Sequence, residues 1–300
     1  MGDVVMTLPA LAWLGAQDRL DVSLVTDPRW MPLLPDVPTA SPSALAERAP
    51  LDAWLELHRV PASRRVLHAA HGPGRPPVER VHKESLRRRG LLLTSAAPPR
   101  HTWPERHLRA AQRLCARLSV AALPPASAVP ALAPSAEPEP GLLGIVPGAQ
   151  NPTKRWPLPR WLDLIGAWRP HGAVRAFLGP DEGELAGPLA DAGADLWPVP
   201  LDRLRAGLSG CSVVVAGDTG PLHVAGALGR PVVALFGPTP VDAGFWVWGG
   251  RGTAIRTDLR CSPCSLHGGE RCPRGHHRCL ADLSASTVLG AALRWAEASA

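Results

Sequence analysis

Past residue 140 the chain alternates short apolar runs with amphipathic stretches, and this cadence leaves little freedom of fold. Residues 142–146, 174–178, 213–216 and 231–236 read as strands, with helices between and beside them at 159–168, 182–192, 201–208 and 221–228. A βαβα order of this kind predicts a parallel sheet with helices on both faces. Ahead of it, residues 119–140 turn to Ala, Pro and Ser, with Pro124, Pro125, Pro130, Pro134, Pro138 and Pro140. Such a segment builds neither a helix nor a central strand and is expected to be a linker. The first half shows the same α/β character less cleanly: a helix at 7–16, strands at 22–25, 65–69 and 91–94, and a long helix at 105–118. At 300 residues the chain suits two domains of ordinary size, divided as 1–130 and 131–300.

No apolar run approaches the ~18 residues needed to cross a bilayer, and the start carries no signal-peptide pattern, so a cytoplasmic protein is expected, with peripheral contact at the inner membrane left open. The formal charge of +6 calls for an acidic partner without choosing among nucleotide, phosphorylated glycan, membrane and nucleic acid. Lys83 and Lys154 are the only lysines against thirty arginines. A lysine that survives such a bias toward arginine is a candidate for a chemical role. Four of the six cysteines, Cys261, Cys264, Cys272 and Cys279, fall within nineteen residues, with His267, His276 and His277 nearby. The spacing leaves a structural zinc site and reduced or partly bridged thiols both open.

Three second-half strands run into Gly- and Pro-rich loops: Pro147-Gly148-Ala149-Gln150, Gly179-Pro180-Asp181-Glu182 and Gly217-Asp218-Thr219-Gly220. In a parallel sheet these loops share the carboxyl edge, where open α/β domains bind ligands. The third leads straight into a helix beginning Pro221-Leu222-His223, whose first amides suit a phosphate; a plain capping role for Asp218 or Thr219 is the alternative. Lys154 follows the first loop. Its ammonium is a compact charge suited to a departing diphosphate, with a solvated surface lysine as the plainer reading. Nicotinamide chemistry lacks its G-x-G-x-x-G and ATP hydrolysis its Walker motif.

Gly2-Asp3-Val4-Val5-Met6-Thr7-Leu8-Pro9-Ala10-Leu11, Pro147-Gly148-Ala149 with Lys154-Arg155-Trp156-Pro157, Gly217-Asp218-Thr219-Gly220-Pro221-Leu222-His223, and Leu235-Phe236-Gly237-Pro238-Thr239 stand in order along nearly the whole chain. Together they resemble the signature of glycosyltransferase family 9, the ADP-heptose:lipopolysaccharide heptosyltransferases. The resemblance implies a GT-B fold of two Rossmann-like domains facing a cleft, and an inverting transfer that requires no metal cofactor. By position it implies that Asp3 is the general base and Lys154 the diphosphate-binding lysine. It implies donor contacts from Gln150, Asp181, Glu182, Asp218, Thr219, Gly220 and His223, an ADP-heptose donor and an acidic glycolipid or glycan acceptor. Basic residues of the first domain, Arg80, Lys83, Arg87 and Arg88 within the stretch 75–89, are the matching acceptor-binding candidates. Trp103 and Trp156 are candidates to stack on a sugar or base.

Two other readings stand beside this one. A nucleotide-sugar epimerase or hydrolase would use the same donor cleft without an acceptor. A zinc-containing nucleic-acid binder would use the basic stretch and the cysteines but leaves the D-T-G loop and Lys154 without work. Members of the family begin with an apolar strand that delivers the Gly-Asp loop, whereas here Met1 directly precedes Gly2-Asp3. The first domain is therefore expected to lack its first strand, and the reading frame to continue about ten residues upstream, which translation of the upstream sequence tests.

Overall fold

The computed structural model describes residues 1–17, 19–47, 51–58, 60–70, 76–93, 101–120, 131–198 and 200–298. The first half runs α1 (Gly2–Val5), α2 (Leu8–Gly15), β1 (Leu24–Val25), β2 (Thr39–Ala40), β3 (Trp54–Glu56), α3 (Pro61–Ala70), β4 (Val78–Arg80), α4 (Ser85–Leu93) and α5 (Trp103–Arg117). The second half continues with β5 (Leu143–Val146), α6 (Leu158–Trp168), β6 (Val174–Leu178), α7 (Gly183–Asp191), β7 (Asp195–Pro198), α8 (Leu201–Ser209) and β8 (Val213–Gly217). It ends with α9 (Gly220–Ala227), β9 (Val232–Leu235), β10 (Gly252–Ile255), α10 (Arg278–Ala281) and α11 (Ala285–Glu297).

The second half is built on one six-stranded parallel sheet in the order β10-β9-β8-β5-β6-β7. The period of two decides its faces. Leu143 and Ile145 of β5, with Val213 and Val215 of β8, pack against Trp161, Leu164, Ile165 and Trp168 of α6 and Val288 of α11. Val146, Val214 and Ala216 point the other way, to Leu204 and Leu208 of α8 and Leu222 and Val224 of α9. Trp161 and Trp168 are fully buried, and removing a side chain of this kind from water contributes roughly 1.5–3 kcal/mol. The core of that second face reaches into the first half: Val5, Leu8 and Leu11 of the first two helices join it, together with Leu33 and Leu34.

Among the described residues the first-half strands form two separate two-stranded parallel sheets, β1 with β2 and β3 with β4. The helix at 7–16 and the long helix at 105–118 form close to where expected. The strands expected at 65–69 and 91–94 are not strands: 65–69 lies within α3 and 91–93 within α4, while residue 94 lies outside the described residues. Pro61 opens α3 in the first turn, where no N–H is needed, and Ser63 Oγ accepts from Val60 N at 3.0 Å. The apolar pairs and triplets inside these helices are too short to tell a strand from a helix face. The strands are instead β3 and β4, where Glu56 and Arg80, partners in register, pair at 2.7 Å. No helix among the described residues is long and apolar enough to cross a membrane.

Candidate functional site

Strand order fixes where the chemistry gathers. From β5 the chain winds outward through β6 and β7, then returns to β8 on the other side of β5 and winds away through β9 and β10. The direction reverses between β5 and β8, and the carboxyl ends of those two strands flank the crevice in which open α/β sheets bind ligands. Lys154 stands in the loop after β5 and Asp218 directly after β8. Lys154 Nζ meets Asp218 Oδ2 at 2.7 Å and donates to the Asp218 carbonyl at 2.8 Å. Asp218 is buried and Lys154 nearly so, their side chains 6% and 15% exposed. Asp218 therefore does not cap the next helix, and Thr219, the N-cap residue of α9, makes no side-chain capping bond; its hydroxyl donates backward to Gly217 O at 3.3 Å. The positive end of α9 is left to backbone amides beside an ammonium, an arrangement that favours an anion.

The short turn Pro152–Lys154 that carries the lysine is clamped by the cysteine-rich segment. Thr153 Oγ1 bonds the Gly269 carbonyl and accepts from the Gly269 amide, both at 2.8 Å. Asn151 Nδ2 donates to His267 O and His277 Nε2 to Thr153 O, each at 2.7 Å. No motif or spacing in the chain announces this support. All four clustered cysteines are free thiols, Cys261 Sγ faces His276 Nε2 at 3.8 Å, and among the described residues no three His, Cys, Asp or Glu side chains converge as a metal site. The donor set that a tetrahedral zinc requires is not assembled there.

Asp3 lies in the first turn of α1 and is not its cap. Its Oδ2 accepts from His58 Nε2 at 3.0 Å, and both side chains are more than half exposed. That hydrogen bond is the main reason the Asp3 carboxyl is held below the usual carboxylate range, against the opposing effect of burial. His58 follows β3 at its carboxyl end and belongs to no sequence motif. His107 of α5 holds the adjoining turn by donating from Nδ1 to Met6 O at 2.9 Å; burial pushes its pKa down to about 4 and keeps it neutral. Opposite Asp3 stands His223 of α9, buried, its pKa lowered by burial and by Lys154 against the pull of Asp218 and Asp3. A Cβ on Gly2 would lie 3.2 Å from the His223 ring, a tight contact, so the Asp3 turn and α9 are closely packed at this point. Asp3, Lys154, Asp218 and His223 thus share one site.

Glu182 folds back toward the same edge. Its carboxylate accepts from Gly179 N at 2.8 Å and lies over Gly148, where any Cβ would overlap it. Beside this contact a cavity of about 310 Å³ is lined by Pro147, Arg155, Trp156, Trp161, Glu184 and Leu185. Asp181 and Gln150 are exposed on the adjoining loops. In the donor role that the sequence resemblance implies for Glu182, replacing Gly148 with Ala expels its carboxylate and is expected to weaken nucleotide binding about tenfold, the scale of a hydrogen bond to a charged group. A calorimetric titration giving wild-type affinity in that variant would take Glu182 out of the site.

The basic candidates of the first half separate clearly. Arg80 is engaged by Glu56, Arg87 is about 4.0 Å from Glu84, and the Lys83 carbonyl accepts from Arg106. Arg88 is buried, with its guanidinium carbon 4.9 Å from the Trp103 ring centre and 5.0 Å from that of Phe245. Its Nε and one terminal nitrogen have no hydrogen-bond partner among the described residues. Arg75 lies outside the described residues. Trp103 is not free to stack, since it carries Arg88 and Arg106 on its ring; Trp156 is buried with its indole N–H on Leu283 O at 3.2 Å and meets open space only where it lines the cavity. Large aromatic rings find more apolar contact inside the fold than at an open cleft.

The chain matches the sequence model of glycosyltransferase family 9 (heptosyltransferase) over residues 91–270. It is 30% identical over 112 residues to lipopolysaccharide heptosyltransferase 2 of Escherichia coli (strain K12), a match that covers 34% of this chain and 32% of that protein. The match thus spans about a third of the relative's length. Across the whole chain the fold is similar to that of the E. coli heptosyltransferase WaaC with ADP, at TM-score 0.72, 19% identity and coverage of 100% and 97%. It is likewise similar to the glycosyl transferase family 9 structure from Veillonella parvula DSM 2008, at TM-score 0.71, 18% identity and coverage of 99% and 94%. The fold is the α/β GT-B arrangement. With more than half its length matched by the family's model, the chain belongs to glycosyltransferase family 9.

Proposed function

We propose that the chain is a glycosyltransferase that moves a sugar from a nucleotide-diphosphate donor to a glycan acceptor, heptose from ADP-heptose to the lipopolysaccharide core or a related glycan, with inversion and without a metal. In this reading residues 131–300 bind the donor and residues 1–130 the acceptor. The observation that carries it is the Lys154–Asp218 pair at the sheet's reversal point, beside the uncapped start of α9 and facing Asp3. The diphosphate takes over Lys154 from Asp218 and rests on the α9 amides, which stabilise its charge as the sugar departs. Asp3 accepts the acceptor hydroxyl's proton, the new bond forms from that oxygen to the anomeric carbon, and the bond to the diphosphate breaks with its electron pair leaving on phosphate. Glu182 and the cavity beside Gly148 suit the nucleoside. Arg88 is the acceptor-side cation best prepared for an anionic group, because its unpaired nitrogens are already desolvated. The solved E. coli heptosyltransferase of the same fold holds ADP, which supports that nucleotide. The cysteine-rich segment supports the Lys154 turn through its backbone, and the proposal gives it no metal.

Thermal melts with ADP-, UDP- and GDP-sugars, followed by product analysis with and without a lipopolysaccharide-core acceptor, test this reading. The largest upward shift is expected with the ADP-sugar, since a hundredfold excess over Kd adds about 2.7 kcal/mol. Product of inverted anomeric configuration is expected only with acceptor present and undiminished by EDTA. Donor turnover that needs no acceptor would replace the proposal with the hydrolase or epimerase reading.

A further inference from the structure

The Asp3 carboxylate has one oxygen bound and one free. His58 Nε2 lies 3.0 Å from Oδ2, and Oδ1 has no hydrogen-bond partner among the described residues. The groups whose charges reach Asp3 from neighbouring elements are the Met1 amino group, His107 on α5, Arg88 on α4, His223 on α9 and His267. None of these hydrogen-bonds the carboxylate. His58 arrives from the carboxyl end of β3, on the first-half strand pair, and therefore ties the α1 turn to the sheet beside it. A half-exposed carboxylate with no such contact rotates freely about its terminal torsion.

We propose that His58 is a positioning residue for the transfer reaction: by donating from Nε2 to Asp3 Oδ2 it fixes the carboxylate so that Oδ1 receives the acceptor hydroxyl's proton. This rests on the reading of Asp3 as the base. The bond does two things at once. It sets the orientation of the accepting oxygen, and it favours the ionised carboxylate, so that Asp3 remains a base to lower pH than an isolated carboxylate. His58 gives up no proton in the step; the proton taken from the acceptor resides on Asp3 until solvent removes it.

The test uses the full chain with donor and acceptor, comparing His58→Ala, His58→Gln, Asp3→Asn and the double variant Asp3→Asn/His58→Ala. His58→Ala is expected to lower kcat by about 10- to 100-fold, the range for a lost hydrogen bond to a charged group. Donor affinity and melting temperature stay near wild type, because His58 is exposed and its ion-pair contact is with Asp3. The acidic limb of the kcat profile moves to higher pH, since the interaction that lowers the Asp3 pKa is gone. His58→Gln, which keeps an N–H donor, recovers most of the turnover. In the Asp3→Asn background the His58 change has no further effect, as required when two residues act through one group. Wild-type kcat in His58→Ala, an unmoved acidic limb, or full additivity in the double variant would each overturn the proposal. Asp3→Asn alone reports on the base: normal turnover there defeats the reading of Asp3, whereas normal turnover in His58→Ala beside an inactive Asp3→Asn defeats only the role of His58.

Discussion

Asp3→Asn is expected to lower kcat by roughly 10²- to 10⁴-fold, the range for loss of a positioned general base. The substitution changes almost nothing else. Asn has the same shape, and its amide oxygen still accepts from His58 Nε2, so the contact at 3.0 Å survives. It carries no proton-accepting carboxylate, and the acceptor hydroxyl must lose its proton to water. Donor affinity is expected to stay at the wild-type level because the substitution leaves the proposed diphosphate contacts, Lys154 and the α9 amides, in place, and kcat and kcat/KM fall together, the pattern of an interaction made only in the transition state. The acidic limb expected from the Asp3 carboxyl, which its hydrogen bond with His58 holds below the usual carboxylate range, disappears with the carboxylate. Turnover within a few-fold of wild type would remove Asp3 from the mechanism.

Lys154→Ala should be nearly as damaging and should also cost stability. The ammonium is the ion-pair partner of a buried carboxylate, Asp218, 6% exposed. Removing it leaves that charge uncompensated, and breaking a buried pair from one side typically costs about 3–5 kcal/mol. The bare carboxylate also repels an incoming diphosphate. The expected result is a melting temperature lowered by several degrees together with a loss of roughly 10²- to 10³-fold in kcat/KM, the scale for one lost charge-stabilising donor. The double variant Lys154→Ala/Asp218→Asn separates the two effects, since it removes the stranded charge and restores the melting temperature without restoring catalysis. Lys154→Arg recovers only part of the activity, because a planar fork does not reproduce two contacts from one nitrogen to the carboxylate and carbonyl of the same residue. Full recovery by arginine would show that charge alone is needed.

The sequence determined the second half and most of its site. Runs such as Val213–Gly217 are apolar on every residue because the strand is covered on both faces, and that composition is visible without a structure. The loops that follow are punctuated by Gly and Pro because the backbone must turn sharply there, so Lys154, Glu182 and Asp218 were legible as neighbours on one sheet edge. Other elements carried no such signature. β7 ends on Pro198 at the sheet's edge, and β10 holds only Ala254 and Ile255 as apolar residues. β3 and β4 are three residues each, and their Glu56 and Arg80 look like surface charges until pairing brings them together. Tertiary structure alone decided what supports Lys154 and Asp3. Thr153 meets Gly269 across more than a hundred residues, and His58 reaches Asp3 from a strand that the sequence does not announce. A motif records residues near one another in the chain, where local backbone geometry constrains them. A single side chain delivered from another element leaves no periodicity and no spacing, because its position is set by how the elements pack and not by the residues on either side of it.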